Sequence, residues 1–287
     1  MSGAGHLRIG ELSRRSGVSP ELLRAWERRY GLLRPSRSSG GLRLYSTDDL
    51  DRVQAMRRHL ADGLAAAEAA ARVSGAAPGP STQPVEALGE LRAALAAFDE
   101  ARAQAVLDDL LAATTIDTLL SDVVIPYLEE LGRRWERGEA SVAEEHFASS
   151  VLRGRLLGLA RGWGRGLGPV AVLACAPGEQ HDLGLISFGL ALRARGWRIV
   201  YLGADTPIES VADAAKLSAP AFVVISSVSA DRVASLAEPL RALGRRYALC
   251  LGGGAVAAAA DVGAIALGAG PVEEADRLTA LAAPGAA

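Results

Sequence analysis

The stretch Glu179-Gln180-His181-Asp182-Leu183-Gly184 decides the fold of the second half of the chain. The apolar run before it, residues 169–175, predicts a buried parallel strand, and the apolar segment after it, residues 185–192, predicts a helix. The histidine therefore lies in the loop that leaves the first strand of an α/β unit, where open α/β sheets bind ligands. A neutral imidazole is a good metal ligand, and a carboxylate two residues away can fix its tautomer. The stretch predicts a metal or ligand site at His181.

Strand-like runs alternate with helical segments through the rest of the chain. The runs are residues 169–175, 197–202, 221–225, 247–251 and 264–267. This alternation predicts an α/β, flavodoxin-like (Rossmann-like) five-stranded parallel sheet in the strand order 2-1-3-4-5. The loops after strands 1, 3 and 4 then meet at one edge. They carry the candidate site residues Glu179, His181, Gly184, Ser226, Ser227, Val228, Gly252 and Gly253.

Residues 85–165 have a helical pattern throughout, with short connections that predict a four-helix bundle. Trp135 ends the third helix, and Glu145-His146 follow after nine intervening residues, inside the fourth. Residue types alone leave open whether these are packed side chains or a site.

The N-terminal module is basic. Residues 1–60 hold twelve Arg and six Asp or Glu, a net charge of +6, whereas the whole chain carries −2. A short helix ending near Gly17, followed by the helix start Ser19-Pro20, predicts a helix-turn-helix, and Gly40-Gly41 between extended runs predicts a two-stranded wing. This pattern predicts double-stranded DNA as a partner. The candidate DNA contacts are Arg15, Ser19, Arg24, Arg28, Arg29, Tyr30, Arg37 and Arg43.

The predicted organisation has four segments. They are residues 1–73, an all-α winged helix-turn-helix DNA-binding domain; 74–84, a Pro- and Gly-rich linker; 85–165, the bundle; and 166–287, the sheet domain. Cys175 and Cys250 lie in apolar runs, which predicts buried free thiols and a cytoplasmic protein. No run is long and apolar enough to predict a membrane span or a signal peptide.

Several N-terminal stretches resemble the DNA-binding domain of the MerR family of transcription regulators. They are Ile9-Gly10-Glu11-Leu12, Gly17-Val18-Ser19, residues 23–32 and Arg43-Leu44-Tyr45. The form Trp-Glu-Arg-Arg-Tyr-Gly at residues 26–31 is similar to the branch of the family that carries cobalamin-binding domains.

The sheet-edge residues resemble the cobalamin-binding motif Asp-x-His-x-x-Gly, Ser-x-Leu, Gly-Gly, with Glu179 in place of Asp and Val228 in place of Leu. The resemblance implies that His181 is the lower axial ligand of cobalt and that Glu179 orients it. It also implies that a serine supports the pair, with Ser226 preferred to Ser227. The glycines would admit the nucleotide tail of the cofactor.

Trp135, Glu145 and His146 reproduce the Trp-x9-Glu-His signature of the cobalamin-dependent MerR-type photoreceptors of the CarH/LitR kind. The resemblance implies that these three residues hold and shield the 5′-deoxyadenosyl group of adenosylcobalamin. Some members have, close to this signature, a His that takes the upper cobalt position after light. Here Glu136 follows the Trp, which leaves the ligand after illumination open.

The resemblance implies a light-responsive transcriptional repressor, not an enzyme. It would bind DNA in the dark as a homo-oligomer, a dimer or a tetramer, and release it when light breaks the cobalt–carbon bond. Two alternatives stay open. One is a corrinoid methyl-carrier protein, which the DNA-binding module disfavours. The other is a MerR-type regulator that senses cobalamin itself or acts without it.

Overall fold

The computed structural model describes residues 7–37, 42–61, 69–70, 72–73 and 84–283. The chain divides into two compact units, one of Met1–Gln83 with Asp108–Thr115 and the other of Pro84–Leu107 with Ile116–Ala287. The predicted wing turn at Gly40-Gly41 lies outside the described residues. So does the predicted linker, except for Pro84, which begins a helix because a proline lacks only an N–H that the first helical turn leaves unpaired.

The N-terminal unit is a winged helix-turn-helix, as the sequence predicts. Its elements are α1 (Ile9–Ser16), α2 (Pro20–Tyr30), β1 (Ser36–Arg37), β2 (Arg43–Leu44) and α3 (Thr47–Ala61). Gly17 ends α1 in the left-handed conformation, φ 69°, which glycine adopts without strain. The Ser19 hydroxyl accepts the N–H of Leu22 at 3.3 Å and so caps α2. β1 and β2 pair antiparallel as the wing.

The helical part of the chain contains one irregularity that the sequence pattern does not predict. The helices are α4 (Pro84–Ala96), α5 (Glu100–Ala113), α6 (Ile116–Leu119), α7 (Ile125–Glu136) and α8 (Val142–Leu159). The predicted third helix is interrupted between α6 and α7 by a π-helical turn, Leu120–Val124. Pro126 follows this turn and has no N–H to donate to the preceding turn, so a local change of helical register is expected there.

The sheet domain follows in strict alternation. Its elements are β3 (Val170–Cys175), α9 (Leu183–Ala194), β4 (Arg198–Gly203), α10 (Ile208–Ser218), β5 (Phe222–Ser226), α11 (Ala230–Ser235), α12 (Ala237–Gly244), β6 (Leu249–Gly252), a 3₁₀ segment (Gly253–Ala258), α13 (Ala259–Val262), β7 (Ile265–Leu267) and α14 (Pro271–Leu281).

The strand order is β4-β3-β5-β6-β7, all parallel, which confirms the predicted order 2-1-3-4-5. All six residues of β3 are buried, as expected for a strand with neighbours on both sides and helices on both faces. Cys175, Ser226 and Gly252 pair across β3, β5 and β6 as one row. The loops that follow these three residues therefore start side by side.

Both cysteines are buried free thiols, which confirms the prediction for Cys175 and Cys250. Within the described ranges, no helix combines the length and the apolar content that crossing a bilayer requires.

Candidate functional site

Glu179 is the centre of the candidate site, and its buried carboxylate accepts five hydrogen bonds. Oε1 accepts the backbone N–H of His181 at 3.0 Å and faces the ring Nδ1 of His181 at 2.6 Å. Oε2 accepts the backbone N–H of Val228 at 2.8 Å, the hydroxyl of Ser227 at 3.0 Å and the guanidinium of Arg232 at 2.7 Å. The loops after β3 and β5 are thus joined through one side chain.

These bonds keep Glu179 ionised. Burial acts to raise its pKa, but the backbone N–H groups of His181 and Val228, the His181 ring and the Ser227 hydroxyl outweigh burial and lower the pKa from 4.5 to about 2. An ionised carboxylate only accepts hydrogen bonds, so Nδ1 of His181 is the donor. In the neutral ring, Nε2 then carries the free lone pair.

The imidazole of His181 is presented to solvent: 68% of its side chain is exposed, against 1% for Glu179. The buried acid fixes the ring orientation and tautomer, while Nε2 is left at the surface of the sheet edge. This arrangement can supply a single, pre-oriented nitrogen ligand to a metal.

The serine that contacts Glu179 is Ser227, which corrects the preference for Ser226. Ser226 is the last residue of β5, whereas Ser227 is the first residue of the following loop and its side chain is buried. Successive residues at a strand end point to opposite sides, so a one-residue difference decides which hydroxyl reaches the carboxylate. Val228 contributes its backbone N–H, while its side chain is exposed.

The glycines after β6 allow a close approach to the loop that holds Glu179. Gly253 has φ +68°, and a Cβ added there would lie 2.8 Å from the Ser227 carbonyl oxygen. At Gly254, which the site prediction omits, an added Cβ would lie 2.1 Å from the Val228 carbonyl oxygen. Beside Gly252 and Gly184, by contrast, no described atom comes within 4 Å of an added Cβ. Gly253 and Gly254 therefore pack directly against the backbone of this loop, whereas Gly252 and Gly184 border open space.

A second carboxylate, that of Asp182, lies directly after the histidine and is also buried. It accepts Nε of Arg153, from α8, at 3.0 and 2.9 Å and the hydroxyl of Tyr201, from β4, at 2.7 Å. Beneath the same loop, the thiol of Cys175 lies 3.7 Å from the His181 carbonyl oxygen. The partners Arg232, Arg153 and Tyr201 were not expected from the sequence, because nothing in the local pattern links them to the motif.

Of the bundle residues, Trp135 and His146 are exposed and Glu145 is half-buried. Trp135 is 54% exposed and the side chain of His146 is 74% exposed. Glu145 accepts the hydroxyl of Ser149 at 2.7 Å and faces Nδ1 of His146 at 2.6 Å. Burial acts to raise the pKa of Glu145, but the hydrogen bonds with Ser149 and His146 outweigh burial and lower it.

One ion pair holds the two parts of the bundle signature near each other. Arg134, next to Trp135, donates NH1 to the Glu144 carboxylate at 2.8 Å, next to Glu145. The end of α7 is thereby fixed to the start of α8. The exposed indole is a large apolar surface that a ligand would cover, and Glu136 beside it is also exposed.

The candidate DNA contacts occupy α1, α2 and the wing. Arg15 is exposed and bonds Glu11 at 2.8 Å, Arg24 is exposed, and Tyr30 is half-buried. Arg43 donates to Glu27 at 2.9 Å, and the other oxygen of Glu27 accepts the buried Tyr45 hydroxyl at 2.8 Å.

Of the remaining candidate DNA contacts, one has a structural role and the others have side chains that the structure does not describe. Ser19 caps α2. The side chains of Arg28, Arg29 and Arg37 lie outside the described part of the structure. Trp26 is buried in the core of the module, which shows how α2 is anchored while Arg24 stays accessible.

The sheet-edge donor set fits a cobalt corrinoid. Among the described residues, no group of three or more His, Cys, Asp or Glu side chains is arranged to hold a bare metal ion. In cobalamin the macrocycle supplies the equatorial nitrogens, so the protein need add only an axial ligand. A single exposed imidazole with its second nitrogen bound to a buried carboxylate meets that need.

Comparisons with known proteins agree over most of the chain. Residues 7–75 match the description MerR HTH family regulatory protein, and residues 87–157 and 169–278 each match a B12 binding domain. The chain is 35% identical over 265 residues to the HTH-type transcriptional repressor CarH of Myxococcus xanthus, covering 86% of this chain and 89% of that protein. It is 34% identical over 227 residues to the repressor CarA of the same organism, covering 78% and 77%.

A solved structure shares the fold. The monomethylamine corrinoid protein of Methanosarcina barkeri superposes with a TM-score of 0.58 and 20% identity, covering 69% of this chain and 99% of that one.

Proposed function

The chain belongs to the family of B12-binding, MerR-type transcriptional repressors that includes CarH and CarA, and from this premise we propose an adenosylcobalamin-dependent repressor that responds to light. It binds operator DNA in the dark as a homo-oligomer, a dimer or a tetramer, and releases the DNA on illumination. Several DNA-binding modules held in one oligomer bind more tightly than one module, without new contacts.

The observation that carries the proposal is the exposed imidazole of His181, held by the buried Glu179. The ionised Glu179 holds Nδ1 as a donor, so the ring is ready to act as the lower ligand. Adenosylcobalamin, when bound, supplies a cobalt–carbon bond that light breaks. Ser227 and Arg232 hold the carboxylate in place from the loop and the helix after β5.

Trp135, Glu145 and His146 support the adenosyl form of the cofactor. The exposed indole offers a flat apolar surface for an adenine ring, and Glu145 and His146 offer hydrogen-bonding groups for a ribose. These side chains would exclude water from the part of a bound ligand that lies against them. Glu136 is an acid beside the indole, and it gives no imidazole for the upper position after light.

The test combines absorption spectroscopy with DNA binding. Protein loaded with adenosylcobalamin in darkness is expected to bind a DNA fragment from its own promoter region and to lose that binding after green light. Protein loaded with hydroxocobalamin serves as the light-insensitive control. Binding that is the same in darkness and in light contradicts light sensing but not cobalamin binding.

One variant distinguishes this proposal from the alternative of a MerR-type regulator that acts without cobalamin. His181→Ala is expected to lose the spectrum of histidine-ligated cobalamin and dark DNA binding together. If His181→Ala keeps both cobalamin binding and DNA regulation, neither depends on the histidine; DNA regulation that persists in protein without cobalamin means that the repressor acts independently of the cofactor.

A further inference from the structure

Asp182 occupies a position where aspartate ordinarily caps a helix, but it does something else. It is the residue before α9, and acidic residues at that position usually accept a backbone N–H of the first turn. In the described structure its side chain accepts no hydrogen bond from α9. The buried carboxylate is instead directed to Arg153 of the bundle and Tyr201 of the sheet. The Asp182 side chain therefore joins α8 to β4 instead of capping the start of α9.

The contact with Arg153 is multidentate, with the carboxylate buried and the guanidinium side chain half-exposed. Nε of Arg153 lies 3.0 and 2.9 Å from the two Asp182 oxygens, and Nη2 lies 2.8 Å from Oδ2; 3% of the Asp182 side chain is exposed, against 49% for Arg153. Multidentate, charge-assisted pairs of this kind are the strong class of hydrogen bond. The hydrogen bond to the Asp182 carboxylate raises the pKa of Arg153. Tyr201 is held in turn by the edge of Trp163, with ring centroids 5.5 Å apart.

Arg153 lies on the helix that carries the bundle signature. It follows Glu145 by eight residues and His146 by seven on α8, about two helical turns, a spacing that puts His146 and Arg153 on one side of the helix. Asp182 is joined to His181 by a peptide bond. A shift of α8 therefore acts on the His181 backbone through this ion pair, in addition to the packing of α8 against α9.

A second ion cluster joins the bundle to the sheet domain. It lies at the C-terminal end of α9, whereas Asp182 lies at its N-terminal end. Arg195, just after α9, donates Nε and NH2 to Asp276 of α14 at 2.6 and 2.8 Å. Its NH1 and NH2 reach Asp117 of α6 at 3.2 Å. The twelve residues of α9 separate the two clusters by about 18 Å. Ion pairs thus join the bundle to the sheet domain at both ends of α9. Of the two, the Arg153–Asp182 pair lies in the His181 loop, and the Arg195 cluster does not.

We propose that the Arg153–Asp182 pair is the latch that transmits the position of the bundle to the cobalt-ligating loop, with the Arg195 cluster as the pivot. This inference rests on the proposed cobalamin function. When α8 moves, the latch opens, and among the described residues Tyr201 is the remaining hydrogen-bond partner of the Asp182 carboxylate. A buried carboxylate does not stay in place without its cation, so the loop rearranges and His181 moves with it. By reciprocity, binding at His181 favours the docked bundle.

The experiment compares the latch with the pivot. Arg153→Gln and Asp182→Asn remove the latch, the double variant removes both partners, and Asp117→Asn weakens the pivot as the matched control. Hydrogen exchange by mass spectrometry is measured on each apoprotein. Each latch variant is expected to speed exchange about tenfold in two places at once, the peptide with His181 and the part of α8 around Arg153. Asp117→Asn is expected to leave the His181 peptide unchanged.

Cobalamin binding gives the second readout. Affinity for hydroxocobalamin, followed by the absorption change on histidine ligation, is expected to fall about 10- to 100-fold in each latch variant, the usual effect of losing a group that supports a metal ligand. The double variant is expected to be no weaker than either single variant, because both remove the same interaction. Arg153→Lys keeps the charge but not the two-pronged contact, and partial recovery is expected.

Three results overturn the latch. One is an unchanged His181 peptide in Arg153→Gln, another is additive losses in the double variant, and the third is an equal effect of Asp117→Asn. Failure of the proposed function looks different. In that case the wild-type protein does not bind hydroxocobalamin, while the exchange data on the apoprotein still decide whether bundle and loop are coupled.

Discussion

Replacing Glu179 with Gln removes the charge at the centre of the candidate site and keeps the shape of the side chain. The pKa of Glu179 falls from 4.5 to about 2 on folding, which corresponds to about 3 kcal/mol in favour of the folded state at pH 7. Because the folded-state pKa is depressed, this contribution is fully present above pH 4.5 and is lost as the pH falls through 2. Glu179→Gln is therefore expected to lower the free energy of unfolding by about 3 kcal/mol at pH 7, and by about half as much at pH 3.

Hydrogen exchange on peptides from β3 and β5 measures this free energy for the C-terminal unit alone, without a two-state assumption for the whole chain. Glu136→Gln is the control, because it neutralises an exposed acid in the same unit and is expected to change stability by less than about 0.5 kcal/mol. A loss below about 1 kcal/mol at pH 7, or a loss that does not shrink as the pH falls, refutes the view that the ionised carboxylate organises this site.

Three further predictions follow from the same contacts. Gly254→Ala places a Cβ 2.1 Å from the Val228 carbonyl oxygen and is expected to destabilise the C-terminal unit by about 2 kcal/mol or more in urea unfolding, whereas Gly252→Ala, in open space, is expected to be neutral. Ser227→Ala leaves the buried acid one donor short, so cobalamin affinity measured by absorption titration is expected to fall about tenfold. Arg24→Ala is expected to weaken DNA binding on all sequences and to lower the salt slope by about 1.

The sequence predicts the architecture well because the patterns that mark each strand, turn and helix start lie within a few consecutive residues. Buried parallel strands appear as continuous apolar runs, and β3 is apolar at every position from Val170 to Cys175. The turn at Gly17 and the cap at Ser19 are also signals of one or two residues. The π-helical turn before Pro126 is not predicted, because the apolar spacing there is compatible with an unbroken helix.

The site is predicted only where its parts are adjacent in sequence. Glu179 and His181 are two residues apart, so their contact follows from the motif. Arg232 reaches the same carboxylate from 53 residues away, and Arg153 reaches Asp182 from 29 residues away. Such pairs depend on how the loops and the bundle pack, and arginine is common on this surface. The preference for Ser226 over Ser227 was wrong for the contact with Glu179, because a motif does not fix which residue ends a strand.

The two buried thiols give the protein a pair of internal reporters. Burial raises the pKa of both Cys175 and Cys250 to about 12, so neither reacts with an alkylating reagent until its surroundings open. Cys175 lies beneath the His181 loop, whereas Cys250 lies within β6. If Cys175 is alkylated faster than Cys250, its rate of alkylation measures how often the His181 loop opens. If both thiols are alkylated at the same rate, that rate measures the opening of the whole sheet. The wild-type chain can be followed in this way without introducing a new cysteine.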